Sequence, residues 1–266
     1  MKNRTRLPEV YLTLILAAMF VPIILVIIYS FNDSRINSVW GGFSLRWYEE
    51  LFRDRSIFTA LLNSLILALI SGLIAAVIGT LGAVGMHRSK NRANTVIEYI
   101  STLPIMIPEI ILGIVFLLFF ALLKLRFGML TLIIAHTSFC IPYIFILVKS
   151  RLVGMDKSIE EAARDLGAGN IRVFFDITLP LITPSVLSGM VLSFAMSFDD
   201  VVISTFVTGV NTNTLPLKIY TQLKTGVTPE INALCSLMLL VTFIIITVST
   251  LTAKKSEDRE QKNKVL

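Results

Sequence analysis

Six apolar runs, each long enough to cross a bilayer as a helix, constrain this chain more than anything else in its sequence. Crossing the hydrocarbon core takes roughly 20 apolar residues in helical form. The runs are Val10–Phe31, Leu62–Met86, Ile97–Leu123, Met129–Val148, Leu181–Val207 and Ile231–Ala253. Composition agrees: 55% of the 266 residues are hydrophobic and 16% charged, with a mean hydropathy of +0.78. The runs are continuous rather than alternating, which excludes the period of a membrane β-barrel. The sequence therefore predicts an all-α, polytopic membrane protein with six transmembrane helices, residues 1–266 forming one membrane domain.

The net charge of +6 would suit nucleic acid, but its distribution follows the positive-inside rule instead. With the N-terminus inside, sixteen of the 24 Lys and Arg residues fall on the cytoplasmic side and eight on the other. Both termini are expected in the cytoplasm, and no nucleic-acid partner is expected. Lys2, Arg4 and Arg6 before the first run resemble a secretory signal, yet the run is too long and has no small-residue cleavage site, so it reads as an uncleaved anchor. The two cysteines, Cys140 and Cys235, lie inside apolar runs and read as packing residues. His87 and His136 have no ligand spacing around them, so no metal site is expected. No GxxxxGK[ST] phosphate loop occurs either.

Two polar stretches of about thirty residues separate the runs, and neither is long enough for a soluble domain. The outer one, residues 32–61, mixes Trp40, Trp47, Tyr48 and Phe52 with charges, as an interfacial helix would. The inner one contains MDKSIEEAARDLGAGN. Ser158 and Glu161 have capping-box spacing, and Gly167 and Gly169 offer a stop. Ile159, Ala162, Ala163 and Leu166 make one stripe on a short helix, opposite Glu160, Glu161, Arg164 and Asp165. Such a low-bulk stripe suits docking in a groove, although an ordinary solvated surface helix has the same pattern. Residues 170–178 form a further short segment before Leu179-Pro180, and Pro184 opens the fifth run.

The stretch EEAARDLGAGNIRVFFDITLPLITP resembles the EAA loop of ABC-importer permeases, and it stands in the loop before the penultimate run, as in that family. Further likeness, to the polyamine branch, lies in IYSFNDSR, LSFAMSFDDVVISTFVTG and LPLKIYTQLKTGVTPEINAL. The resemblance implies a type I (MetI-like) importer permease fold of six spans. It implies a coupling helix at 157–169 that docks on an ATPase through Glu160, Glu161, Ala162, Ala163, Leu166 and Gly167. It also implies a heterodimer with a second homologous permease, an ATPase subunit dimer that uses ATP and Mg, and an extracytoplasmic binding protein. This chain would then bind no cofactor, carry no catalytic residue, and work in a bacterial cytoplasmic membrane among lipid.

Glu109, Asp199 and Asp200 stand inside runs that otherwise exclude charge, and an acid at mid-membrane costs roughly 2.5–3.5 kcal/mol on insertion scales. On straight helices Glu109 would lie about 18 Å from the cytoplasmic end of its span and Asp199 about 22 Å above Pro184. The three acids are expected to face one aqueous pathway. Phe194, Phe198, Phe139 and Tyr143 are candidates for cation–π contacts with a polyamine there. Against this stand ion pairing with a partner subunit, capping of a helix break, and plain packing of the rings. Another cation, ferric ion or a thiamine-like solute, also fits the acids, and an ion-coupled secondary transporter would use them without needing an EAA-type helix.

Overall fold

The computed structural model describes residues 7–35, 39–89, 93–226, 229–244 and 247. The N-terminal basic residues, Lys90, Arg92, the end of the sixth run and the basic tail lie outside them. Within the described residues the chain is helical, with a single isolated bridge between Asn32 and Phe43. It divides into two compact units, residues 1–55 with 221–266, and residues 56–220.

In the first unit, α1 (Leu7–Tyr29) turns its apolar side chains outward from Val10 onward. That exposure suits a helix solvated by lipid. The following loop is pinned by Asn32, which is fully buried. Its amide donates to the Val39 carbonyl at 2.8 Å and accepts from the Gly41 N–H at 2.7 Å. The Trp47 indole, on α2 (Arg46–Arg53), donates to the Asn32 carbonyl at 2.7 Å. Trp47 is thus a buried pin rather than an interfacial anchor, whereas Trp40 and Phe52 remain exposed. The sixth run begins as α12 (Pro229–Ile244).

The second unit is built on α3 (Arg55–Arg88), α4 (Ala93–Met106), α5 (Glu109–Leu122), α6 (Met129–Val153), α7 (Lys157–Asp165), α8 (Asn170–Val173), a π-helical turn Phe174–Thr178, α9 (Leu179–Asp199) and α10 (Val202–Val207). Lipid tails provide no hydrophobic drive for helix association, so close packing must supply it. One residue illustrates how: Ile144 of α6 lies between Gly79 of α3 and Gly189 of α9, where an added Cβ would stand only 3.1 Å from it on either side. α11 (Leu215–Thr225) follows at the unit boundary.

Two of the runs differ from the sequence expectation. The third run is not one straight helix: α4 and α5 meet at a bend of 108°. Pro108 has no N–H to continue the helix and biases Ile107 away from helical geometry, so Pro108 becomes the N-cap of α5. The depth inferred for Glu109 from a straight span therefore does not hold. The fifth run ends as a helix at Asp199, because Asp200 is extended (ψ 127°), and restarts as α10. At its other end that helix starts earlier than expected. Residues 170–199 are helical throughout, with the π turn absorbing the approach to Pro180.

Candidate functional site

Broken helices at membrane depth are tolerated where they line a cavity or are packed in protein. Here the two breaks meet. The α4–α5 bend and the α9–α10 break line one cavity of about 630 Å³, which includes Glu109, Asp199 and Asp200 together with Phe139 and Tyr143. Phe194 and Phe198 are not on its lining. Their rings stack on each other, with centroids 5.8 Å apart and planes 12° off parallel.

The three acids are not equivalent. Glu109 stands in the first turn of α5, where the helix dipole favours an anion. Asp199 is the last residue of α9, where the dipole opposes one. Both are exposed, and among the described residues neither forms an ion pair. The Asp200 side chain is only 5% exposed. Its Oδ1 accepts from the Ile203 N–H at 3.1 Å and its Oδ2 from the Ser204 N–H at 2.8 Å. These are the otherwise orphaned donors of α10.

His136, buried on α6, stands beside that cap. Its Nε2 lies 3.5 Å from Asp200 Oδ2 and 3.2 Å from Ser204 Oγ, and its Nδ1 lies 2.8 Å from Ser197 Oγ on α9. A proton on Nε2 faces the carboxylate and leaves Nδ1 to accept from the Ser197 hydroxyl. The imidazole thus bridges α6, the end of α9 and the start of α10. By sequence alone His136 is only a poor metal candidate. A lone imidazole inside an apolar run was the available signal, since ionisable groups there need partners.

The second region is the inner loop. Asp156, not Ser158, caps α7: it is extended and its carboxylate accepts from the Ser158 N–H at 3.0 Å. With the cap two residues earlier than expected, Ser158 lies inside the helix and no Ser158–Glu161 capping box forms. At the other end Gly167 adopts a left-handed φ of +87°. Its N–H donates to Arg164 O at 2.8 Å, and the Ala168 N–H donates to Ala163 O at 3.0 Å. This is the reciprocal pattern of a Schellman stop. Gly169 instead opens α8 with a negative φ.

One polar residue of α7 turns inward while its apolar stripe stays exposed, unlike an ordinary solvated helix. Glu160, expected on the polar face, is buried. Its Oε1 accepts from the Thr178 hydroxyl at 2.6 Å and lies 3.4 Å from Arg88 Nη2, and its Oε2 lies 3.3 Å from Arg164 Nη2. Arg88 also donates to Thr178 at 3.0 Å. Burial alone would raise the Glu160 carboxyl, but Thr178, Arg88 and Arg164 outweigh it and hold the pKa below its ordinary value. Meanwhile the stripe residues Ile159 and Leu166 point outward, Leu166 being 90% exposed, and Ala162 and Glu161 are exposed with them. Ala163 is half-buried. Ile171 and Phe175 extend the exposed apolar surface. Neither Arg88 nor Thr178 stands out in the sequence, since both are distant from Glu160 along the chain.

Residues 69–255 match the family model described as binding-protein-dependent transport system inner membrane component. The chain is 36% identical over 254 residues to the spermidine/putrescine transport system permease protein PotC of Haemophilus influenzae, covering 96% of this chain and 99% of that one. It is 40% identical to PotC of Escherichia coli, with 92% of each covered. It is 42% identical to the putrescine transport system permease protein PotI of Escherichia coli, over 83% of this chain and 81% of the other. Among solved structures, a bacterial ABC transporter involved in import of the acidic polysaccharide alginate superposes with a TM-score of 0.73 at 16% identity, covering 96% of this chain and 98% of that chain. The MetNI methionine ABC transporter superposes with a TM-score of 0.60 at 19% identity, covering 77% and 95%. These two likenesses concern the fold.

Proposed function

The chain belongs to the inner-membrane components of binding-protein-dependent transport systems, and from that premise we propose that it is a permease subunit moving polyamines into the cytoplasm. The observation that carries the substrate class is the cavity at the two helix breaks, where Glu109 and Asp199 are exposed without an ion-pair partner among the described residues. A carboxylate at a helix C-terminus adds to the dipole's negative end, which concentrates negative potential where the cation must pass. Phe139 and Tyr143 on the same lining offer ring faces to an ammonium and apolar surface to a methylene stem. The relatives named for spermidine and putrescine transport support the same reading.

In this reading energy enters through α7. An exposed apolar stripe backed by a buried, fully paired carboxylate is expensive to leave in water and is suited to a partner's groove. The partner is an ATPase dimer, which binds ATP and Mg; this chain itself binds no cofactor. A second homologous permease completes the pathway as a heterodimer, and an extracytoplasmic binding protein delivers the cargo. The chain crosses a bacterial cytoplasmic membrane six times, with both termini inside, the bent α4–α5 pair counting as one span and α12 beginning the last.

Reconstitution of the chain with these partners in proteoliposomes tests the proposal. Uptake of labelled spermidine or putrescine should require ATP inside with the ATPase and should survive a protonophore. Uptake that collapses with the proton gradient while ATP persists would reject it, and transport of ferric ion or thiamine in place of polyamines would reject the substrate class.

A further inference from the structure

We propose that Asp200 is a positioning residue that sets the spacing of the two cargo-facing carboxylates through α10, and that it does not itself meet the cargo. The inference rests on the reading of the cavity as the cargo path and divides the labour among its acids.

Asp200 and Asp199 are adjacent, yet one side chain is buried and the other exposed. Both Asp200 oxygens are already engaged, one by each of two successive N–H groups at the start of α10. The oxygen nearer His136 also faces its Nε2. With three of about four acceptor sites taken and the side chain only 5% exposed, this carboxylate offers little to an ammonium. What it does have is leverage. It locks the first turn of α10 to the end of α9, and His136 locks both to α6.

From there α10 reaches the other acid. It packs along α5, and the Phe206 ring lies so near Gly113 that a Cβ at that position would stand 2.4 Å from it. Gly113 is one helical turn beyond Glu109 on the same face of α5. The chain of contact therefore runs from Asp199 and Asp200 through α10 and Phe206 to Gly113 and Glu109. Loosening the Asp200 cap lets α10 shift, and with it the separation of Glu109 from Asp199. For a diamine whose two ammoniums are a fixed number of methylenes apart, that separation decides which length fits both acids.

The test measures uptake per assembled complex in proteoliposomes containing the full transporter. Putrescine and cadaverine, which differ by one methylene, are each supplied at a concentration that saturates the binding protein. Asp200→Asn and His136→Gln should each shift the cadaverine-to-putrescine rate ratio by about threefold or more. The effect of His136→Gln should vanish in the Asp200→Asn background, because the imidazole acts through that carboxylate. A ratio unchanged in both single variants, whatever happens to the absolute rates, overturns the proposal, and so does a ratio shifted by Asp200→Asn but not by His136→Gln, which would mark direct contact of Asp200 with the cargo. If Asp200→Asn fails to assemble, His136→Gln and Phe206→Leu carry the same comparison. Wild-type rates for both diamines in Glu109→Gln and Asp199→Asn would instead sink the cavity reading itself, and those variants leave the Asp200 cap intact.

Discussion

The Thr178 hydroxyl donates to the Glu160 carboxylate at 2.6 Å, tying the inner loop to the foot of the helix that ends at Asp199. Residues 170–199 are helical throughout, so one continuous element joins the α7 contact at one end to the cavity at the other. Arg88, at the end of α3, joins the same carboxylate.

Removing that acceptor should loosen the loop. Glu160→Ala leaves Arg88 and Thr178 without their partner, a local cost of about 1–3 kcal/mol. It should appear as faster hydrogen exchange over residues 157–166 and as a several-fold loss of ATP-coupled uptake per complex; unchanged exchange would refute the tie. Since the folded pKa of Glu160 lies below the ordinary value, its contribution is fully present at neutral pH. It is lost as pH falls through that folded value, below the ordinary glutamate range, so exchange protection of the loop should decline only there.

Gly167 separates backbone geometry from partner contact. Its φ of +87° penalises any L side chain, while an added Cβ meets nothing within 4 Å in this chain. Left-handed geometry costs most residues roughly 1–2 kcal/mol and asparagine less, so coupled uptake should fall in the order Asn, Ala, Val. Gly167→Trp should uncouple ATP hydrolysis from uptake while the subunit stays in the membrane. Full transport by that variant would reject docking of the loop.

Neutralising Asp199 or Glu109 should slow polyamine uptake without loss of assembled protein, because neither acid is paired among the described residues. Loss of a steering charge should also flatten the dependence of uptake on ionic strength. Poor assembly of Asp199→Asn, with normal uptake in what remains, would mark a structural role instead.

Orientation is open to a direct measurement. A reporter active only outside the cytoplasm should be silent when fused after Lys255 and active when fused within residues 32–61. The reverse result would overturn the assignment based on Lys and Arg placement.

Lipid as a solvent explains why so much was legible in the sequence. Apolar runs of bilayer length fall on α1, α3, α6 and α9 because no other backbone state satisfies its hydrogen bonds there. The EAA-type pattern marked α7, and the cost of charge in an apolar run marked Glu109, Asp199 and Asp200. Direction was another matter. Periodicity gave Glu160 and Leu166 opposite faces of α7, but only Arg88 and Thr178, distant in sequence, determine that the charge turns inward and the leucine outward. The bend at Pro108 and the break at Asp200 likewise hide inside continuous apolar runs, since hydropathy measures transfer and is blind to where a helix stops. Which of two adjacent aspartates is buried depends on a histidine some sixty residues away. That pairing exists only because close helix packing brings α6 against the junction of α9 and α10.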